Sequence, residues 1–185
     1  EPMNSNIFGG YGTVVLYDAD NNKLRYLDNN GRFPAATDAD AFRDAADRNE
    51  VLRTAKAIST PGNLRGFEAM WETYGSLAWE QLWEPAAFHA DEGVAVTLPL
   101  ARAIANAWEH FSPRAREIYG AGGEPFEEGD WLGQHEIAAS MRTVATEGSS
   151  ALYGGSLGQA VIETVAAHDG FLAMSDLLDY QAEWF

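Results

Sequence analysis

The sequence predicts an α+β fold in which a short β-hairpin precedes a mostly helical chain. Three observations support this prediction. Two segments with strand-like residue patterns flank a turn-rich stretch near the start. Apolar residues then recur three and four positions apart over most of the remainder. Glycine or proline separates these helical segments from one another. Because 185 residues suit one domain, we predict a single domain over residues 1–185.

The hairpin is predicted from residue types between positions 13 and 31. Residues 13–17 are β-branched, aromatic or aliphatic, and residues 23–27 alternate polar with apolar side chains. Residues 18–22 between them consist mainly of Asp and Asn, which favour turns, and residues 28–31 carry a second turn signal. Because two strands alone are marginally stable in water, the hairpin needs more sheet, and we interpret this as an indication that a partner segment lies outside this chain.

Seven helical segments are predicted after the hairpin from apolar periodicity and from residues that start or end helices. They cover residues 38–56 in part, 64–74, 76–87, 97–111, 134–147, 157–168 and 175–180, with a loop at 120–129. Ser76 is expected to cap the third segment, and Pro85 within it to kink or break the helix. Gly75 and Gly148 are expected to end the helices that precede them.

Tryptophan residues raise a choice between a binding platform and a core. Trp79 and Trp83 lie four positions apart on a predicted helix, with Leu82 beside them. Exposed indole rings could form a platform for sugars. Helical spacing next to leucine instead predicts core packing for both rings.

Composition excludes several classes of function. The 28 acidic and 12 basic residues give a net charge of −16, which repels phosphate backbones and anionic membranes. We therefore predict no nucleic-acid and no membrane partner. The absence of cysteine excludes disulfides, cysteine-ligated zinc and thiol catalysis, and it leaves the compartment open. The acidity is explained either by adaptation to high salt or simply by an acidic surface.

A serine motif at residues 154–158 matches the G-x-S-x-G pattern of nucleophile elbows. Such an elbow needs a buried strand before it and a later acid and histidine. The only later histidine is His168, and Glu163 lies on the same predicted helix as Ser156. Because that arrangement cannot form a triad, Ser156 is predicted to cap a helix rather than to act as a nucleophile.

The sequence gives only weak support for a metal site. Asp18, Asp20 and Asn22 have the spacing that begins a calcium loop, but Lys23 stands where such a loop needs glycine. These residues are therefore assigned to a hairpin turn. The four histidines show no pair at helical spacing. We predict no metal and no cofactor.

The order of landmarks along almost the whole chain resembles the γ-glutamyltransferase family, including its cephalosporin-acylase-like members. The landmarks are Glu1-Pro2-Met3, Ile7-Phe8-Gly9-Gly10, the strand at 13–18, Gly31-Arg32-Phe33-Pro34-Ala35, Thr60-Pro61-Gly62, residues 74–79, residues 82–86, Gln134, Gly148, Tyr153, Gly155 and residues 176–180. No single motif is specific, but the order and the spacing together carry the resemblance. Phe8 departs from the family's glycine motif.

The resemblance implies an N-terminal nucleophile hydrolase, in which two sheets lie between helical layers. In that αββα sandwich the precursor cuts itself, and the new N-terminal Thr or Ser attacks an amide carbonyl. The resemblance places this nucleophile after Phe185, and the start at Glu1 reads as sequence from within a longer protein. This chain is then a large-subunit portion that contains no catalytic residue. Its implied partners are the nucleophile-bearing small subunit of the same precursor and a small amide substrate.

Two residues are candidates for substrate binding. Typical members place an arginine in the loop after the second strand, where it pairs with the donor's α-carboxylate. Asn30 occupies that position in an ungapped alignment, and Arg32 follows two residues later. Arg32 could therefore take over carboxylate binding, or it could simply brace the loop. The loss of the usual arginine favours an acylase-like amide over a strict γ-glutamyl substrate.

Two classes of function remain open. The first is part of a γ-glutamyltransferase-like enzyme that cleaves or transfers a γ-glutamyl or related acyl amide. The second is a non-catalytic binding or interaction domain derived from that family. The chain alone is predicted to be inactive in either case.

Overall fold

The computed structural model describes residues 8–38, 40–45, 51–52 and 54–185. The chain separates into two compact units. One contains residues 77–146, which we call the helical unit, and the other contains the described residues from 8 to 76 and from 147 to 185, which we call the sheet unit. The prediction of a single domain over residues 1–185 is not tested by this grouping and stays a prediction.

Both units combine helices with short strands within the described residues. The strands are β1 (Gly12–Asp18), β2 (Lys23–Asn29), β3 (Val94–Ala95), β4 (Gly120–Ala121), β5 (Glu124–Pro125), β6 (Trp131–Leu132) and β7 (Glu183–Trp184). The α-helices are α1 (Asn63–Tyr74), α2 (Trp79–Glu92), α3 (Leu98–Ala107), α4 (Pro113–Tyr119), α5 (His135–Glu147), α6 (Ser156–Ala166) and α7 (Met174–Asp179). Short 3₁₀ helices lie at Ala55–Ala57, Trp108–His110 and Gly148–Ala151.

The predicted hairpin is confirmed. Strands β1 and β2 pair antiparallel from Gly12 opposite Asn29 to Asp18 opposite Lys23. The turn between them is fixed by the Asp18 carboxylate, which accepts from the backbone N–H of Asn21 at 3.1 Å and from its side-chain amide at 2.9 Å. The same amide lowers the pKa of Asp18. The residues that mimic a calcium loop therefore build a hairpin turn, as predicted.

The hairpin gains a third strand from the chain itself, whereas the sequence had led us to expect that a segment outside the chain supplies it. Strand β7 pairs antiparallel with β2, with Trp184 opposite Leu27 and Glu183 opposite Asp28. The strand order is β1-β2-β7, so β1 lies at an edge of this sheet. Leu27 is fully buried at its centre. The short β7 could not be foreseen, because two residues carry no periodicity.

Helices α1, α5, α6 and α7 are confirmed within two residues of their expected ends. In contrast, α2 is shifted toward the C-terminus, α3 ends four residues early, and α4 was not predicted. Helix α3 begins after Thr97, whose side chain accepts from the backbone N–H of Leu100. Helix α5 ends at Glu147, where Gly148 adopts a φ of 71° that glycine tolerates best. Gly75 follows α1 but is extended rather than left-handed, and a Cβ there would meet the ring of Trp71. The segment 38–56 lies partly outside the described residues, and residues 40–44 form turns.

Several details of these elements differ from the predictions. Ser76 does not cap α2, which begins at Trp79, because the Gln81 side chain accepts from the N–H of Ala78 instead. Pro85 does not break that helix, which continues to Glu92. Ser156 is the first residue of α6 and not its cap, since the cap position is Gly155. The predicted loop at 120–129 contains the small hairpin of β4 and β5.

The helical unit packs around aliphatic and aromatic side chains. Val96, Leu100, Ile104 and Leu132 form a buried cluster. Trp79 and Trp83 are buried as predicted, with ring centroids 5.4 Å apart, and the Trp79 indole N–H donates to the carbonyl of Val144. Leu82, in contrast, is exposed. It lies one residue from Trp83, which rotates it about 100° away from the buried face.

Among the described residues, no helix combines the length and the apolar character that crossing a membrane would require.

Candidate functional site

Arg32 lies in a loop that follows β2 in the sheet unit. The loop is held by an isolated antiparallel bridge between Arg32 and Thr60. The Arg32 N–H donates to the Thr60 carbonyl at 3.3 Å, and the Thr60 N–H donates to the Arg32 carbonyl at 2.8 Å. Thr60 is buried. The backbone of Arg32 is therefore anchored to the segment that leads into α1.

The guanidinium of Arg32 is oriented by two acceptors near the end of β2. Its Nη2 forms an ion pair with Asp28 Oδ2 at 3.0 Å, and its Nη1 donates to the carbonyl of Asn30 at 3.2 Å. The Arg32 side chain is still 44% exposed, whereas the Asp28 side chain is only 22% exposed. The guanidinium is thus pre-oriented and remains accessible to a ligand.

Asp28 stays ionised over a wide pH range. Its Oδ1 accepts from the backbone N–H of Asn30 at 3.0 Å. This hydrogen bond, followed by the one from Arg32, lowers the pKa of Asp28. In return, Asp28 raises the pKa of Arg32. The loop therefore carries a stable ion pair of nearly zero net charge.

Asn30 and Arg32, the two residues predicted to bind substrate, are joined by a hydrogen bond to the backbone carbonyl of Asn30. This carbonyl accepts from both Arg32 and Tyr180, and the backbone N–H of Asn30 donates to Asp28. Asn30 therefore shapes the loop, and Arg32 supplies the cation.

Two tyrosines that sequence reasoning did not assign to the site support this loop. The Tyr180 hydroxyl donates to the Asn30 carbonyl at 2.7 Å, and its ring lies 5.8 Å from the Arg32 guanidinium carbon. The Tyr153 hydroxyl donates to the Pro61 carbonyl at 2.9 Å. The two rings stack, with centroids 5.9 Å apart and an interplanar angle of 17°. Both had been noted only as family landmarks, and no sequence signal connects either one with residue 30.

Gly62 makes room for this arrangement. A Cβ on Gly62 would lie 2.8 Å from the carbonyl carbon of Asn29 and closer still to the Asn29 oxygen and the Tyr180 hydroxyl. The Asn29 side chain is buried, and its amide nitrogen donates to Asn63 Oδ1 at 2.9 Å. The Thr-Pro-Gly turn therefore ends in glycine because β2, α1 and Tyr180 meet there.

A second polar cluster lies beside Tyr153, with the Arg65 guanidinium carbon 4.7 Å from the centre of the Tyr153 ring. Arg65 Nη1 contacts Glu68 Oε2 at 3.0 Å and Ser149 Oγ at 2.7 Å, and the Ser149 hydroxyl donates to the Glu68 carboxylate. A serine beside a carboxylate has the form of a nucleophile with a base. Ser149 is fully buried, however, and its backbone N–H is also bound by Glu68. This cluster is therefore structural.

The residues of the G-x-S-x-G motif do not form a catalytic group. Ser156 begins α6, and Glu163 lies seven residues later on the same helix, about 10 Å away along its axis. The Glu163 carboxylate accepts from Gln159, and the His168 ring contacts the carbonyl of Thr164. The motif thus lacks the geometry of a nucleophile elbow, as predicted.

Comparison with known proteins places these observations in a family. The family model described as Gamma-glutamyltranspeptidase matches residues 1–185. The glutathione hydrolase proenzyme of Bacillus subtilis (strain 168) is 31% identical in an alignment of 185 residues that covers 97% of this chain and 31% of that protein. The acylase ACY 1 proenzyme of Pseudomonas sp. (strain V22) is 33% identical over 195 residues, covering 99% of this chain and 34% of that protein. The chain thus spans about a third of the length of these relatives.

Solved structures show the same similarity. The γ-glutamyltranspeptidase of Pseudomonas nitroreducens, complexed with L-DON, aligns with a TM-score of 0.85 at 26% identity over 96% of this chain and 53% of that chain. The Helicobacter pylori γ-glutamyltranspeptidase gives a TM-score of 0.86 at 25% identity over 96% of this chain and 52% of that chain. These alignments confirm the predicted α+β segment of an N-terminal nucleophile hydrolase. The chain belongs to the γ-glutamyltranspeptidase family.

Proposed function

We propose that this chain is the large-subunit portion of a γ-glutamyltransferase-like enzyme whose N-terminal Thr or Ser nucleophile lies outside it. Three observations support the proposal. The family model matches the whole chain, and relatives that it resembles are named as proenzymes. The chain spans about a third of those relatives. Within the described residues, the one serine bonded to a carboxylate, Ser149, is too deeply buried to meet a substrate.

The role proposed for this portion is recognition of a substrate carboxylate by Arg32. Asp28 and Asn30 engage one N–H on each terminal nitrogen of the guanidinium. The remaining N–H groups and the exposed edge of the side chain are available to an acceptor. A guanidinium held in place by fixed partners binds a carboxylate with little further loss of freedom. This pre-orientation of Arg32 is the observation that carries the proposed function.

The proposed substrate is an acyl amide whose acyl group ends in a carboxylate. Both γ-glutamyl and dicarboxylic acyl amides fit this description, and the two relatives compared here are named as a glutathione hydrolase and an acylase. The nucleophile would attack the amide carbonyl, the amine would leave, and water or an acceptor amine would release the acyl group. Asn30 replaces the arginine of typical members, so Arg32 supplies the positive charge.

The proposed partner is the nucleophile-bearing subunit, and the sheet unit offers a surface for it. One face of the β1-β2-β7 sheet exposes large apolar side chains, which we call the exposed sheet face. Its members are Tyr11, Val15, Tyr17, Leu24, Tyr26 and Phe185. Strand β1 is also an edge strand, with one side unpaired among the described residues. Apolar faces next to an open edge are typical of surfaces that another chain segment covers.

The test uses the full-length protein and three p-nitroanilides: γ-glutamyl, glutaryl and butyryl. Arg32→Gln is expected to raise KM for the γ-glutamyl and glutaryl substrates by about tenfold to a hundredfold, the usual loss for a charged hydrogen bond. KM for the butyryl substrate, which has no carboxylate, should not change. Arg114→Gln is the matched control, because Arg114 is an exposed arginine bonded to Glu117 and Glu136.

Two results would contradict the proposal. Equal KM changes for substrates with and without a carboxylate would show that Arg32 only braces the loop. A full-length protein that turns over none of the amides, while binding them, would favour a non-catalytic binding domain. The isolated 185-residue chain should show no amidase activity.

A further inference from the structure

The bridge between Arg32 and Thr60 is supported from both sides by phenol hydroxyls. On one side, the Tyr180 hydroxyl donates to the Asn30 carbonyl at 2.7 Å. On the other side, the Tyr153 hydroxyl donates to the Pro61 carbonyl at 2.9 Å. Asn30 lies two residues before Arg32, and Pro61 directly follows Thr60. Each hydroxyl thus holds a backbone carbonyl close to one of the two bridged residues.

The two tyrosines form a rigid pair rather than two separate contacts. Their rings stack at 5.9 Å and both are about 3% exposed. Tyr153 also contacts Arg65, whose guanidinium carbon lies over its ring at 4.7 Å from the ring centre. Burial raises the pKa of both phenols, so each remains a proton donor at neutral pH. The stack is therefore anchored in the core and presents its hydroxyls to the loop.

The Asn30 carbonyl couples this pair to the guanidinium. It accepts from the Tyr180 hydroxyl and from Arg32 Nη1 at 3.2 Å. Because the carbonyl is one of two acceptors that orient Arg32, any rotation of the Asn30 peptide changes the direction of the guanidinium. A hydroxyl that prevents this rotation acts on substrate binding without touching the substrate.

We propose that Tyr180 and Tyr153 are positioning residues that set the direction of the Arg32 guanidinium toward a substrate carboxylate. This inference rests on the proposed carboxylate-binding role of Arg32. Tyr180 has the larger effect, since it binds the carbonyl that Arg32 itself contacts. Tyr153 acts one step further away, through Pro61 and the stacked ring.

The experiment measures steady-state kinetics of the full-length protein with the glutaryl and butyryl anilides. Tyr180→Phe keeps the ring stack and removes only the hydroxyl, so it is expected to raise KM for the glutaryl substrate about threefold to tenfold with kcat unchanged. Tyr153→Phe should raise it about twofold to threefold. KM for the butyryl substrate should stay constant in both variants. Tyr119→Phe is the matched control, because the Tyr119 hydroxyl accepts from the Gln134 side chain in the helical unit, outside the surfaces proposed to bind substrate or partner.

A second readout follows the loop directly. Hydrogen exchange of peptides that contain the amides of Arg32 and Thr60 should be faster in Tyr180→Phe than in Tyr119→Phe. Unchanged KM in Tyr180→Phe, together with the expected effect of Arg32→Gln, would overturn the positioning role and leave the proposed function intact. Equal KM increases for both anilides would also overturn it. If Arg32→Gln itself shows no preference for the carboxylate substrate, the proposed function fails and the positioning role fails with it.

Discussion

Gly62→Ala is expected to be among the most damaging single-methyl additions to the sheet unit. Gly62 has φ −119° and ψ −20°, which alanine adopts without strain, so the cost is purely steric. The new methyl group would lie 2.8 Å from the Asn29 carbonyl carbon and overlap the Asn29 oxygen and the Tyr180 hydroxyl. Neither neighbour is the mobile end of a long side chain. The backbone of Gly62 is itself held, since its N–H donates to Gly10 and its carbonyl accepts from Gly66.

The magnitude follows from the groups that must move. Overpacking a filled site costs about 1–3 kcal/mol, and losing the Tyr180 hydrogen bond adds about 1 kcal/mol. Alanine also lowers the conformational entropy of the unfolded chain, which offsets about 0.4–1 kcal/mol of this loss. The free energy of unfolding should therefore fall by about 2 kcal/mol. With a urea dependence of about 1–3 kcal/mol/M, the unfolding midpoint should decrease by about 0.7–2 M.

The assay is a urea titration of the purified protein, followed by tryptophan fluorescence. Gly9→Ala is the matched control, because a Cβ on Gly9 meets no atom within 4 Å. Its free energy of unfolding should stay within about 0.5 kcal/mol of that of the unsubstituted protein. If Gly62→Ala and Gly9→Ala unfold at the same urea concentration, the close packing of β2, α1 and Tyr180 around Gly62 is wrong.

Two further predictions concern the core and the ion pair. Ile104→Ala in the helical unit should cost about 2–5 kcal/mol, because Ile104 is fully buried in the cluster around α3. The control is Leu98→Ala, at an exposed leucine at the start of the same helix. If Ile104→Ala lowers the melting temperature no more than Leu98→Ala does, the prediction is contradicted. Asp28 has a lowered pKa in the folded state, so its stabilising contribution is present above about pH 4 and is lost as the pH falls through the folded pKa. The difference in melting temperature between the unsubstituted protein and Asp28→Asn should therefore shrink as the pH is lowered from 6 toward 2, and a constant difference would refute this.

The sequence predicted those parts of the fold that depend on local periodicity. Alternation placed the hairpin, and the spacing of Trp79 and Trp83 placed the buried face of α2, although Leu82, predicted beside them, is exposed. Capping was less predictable, because several side chains can bind the first free N–H groups of a helix. At the start of α2, the Gln81 side chain accepts from the N–H of Ala78, and Ser76 does not serve as the expected cap. Element type was therefore set by pattern, whereas the exact starts were set by competition between neighbouring polar groups.

The site was predictable only in its local part. Arg32 and Asn30 were predicted from the family resemblance alone, and in the structure Arg32 Nη1 donates to the Asn30 carbonyl. Asp28 lies only four residues from Arg32, but nothing in a turn-rich stretch distinguishes an ion-pair partner from a turn former. Tyr180 contacts the loop from 150 residues away. Such a contact is set by how α7 and β2 pack together, which single-sequence patterns do not encode.

The pairing of Arg32 with Asp28 also bears on how such a loop can discriminate between ligands. A free guanidinium on a surface attracts any anion, but Asp28 cancels most of its long-range charge. What remains is a directional donor whose geometry is fixed by Asn30 and Tyr180. A planar carboxylate can match that geometry with two parallel hydrogen bonds, while a spherical anion cannot. In a chain with a net charge of −16, which repels anions in general, the proposed carboxylate selection at Arg32 would therefore depend on orientation more than on charge.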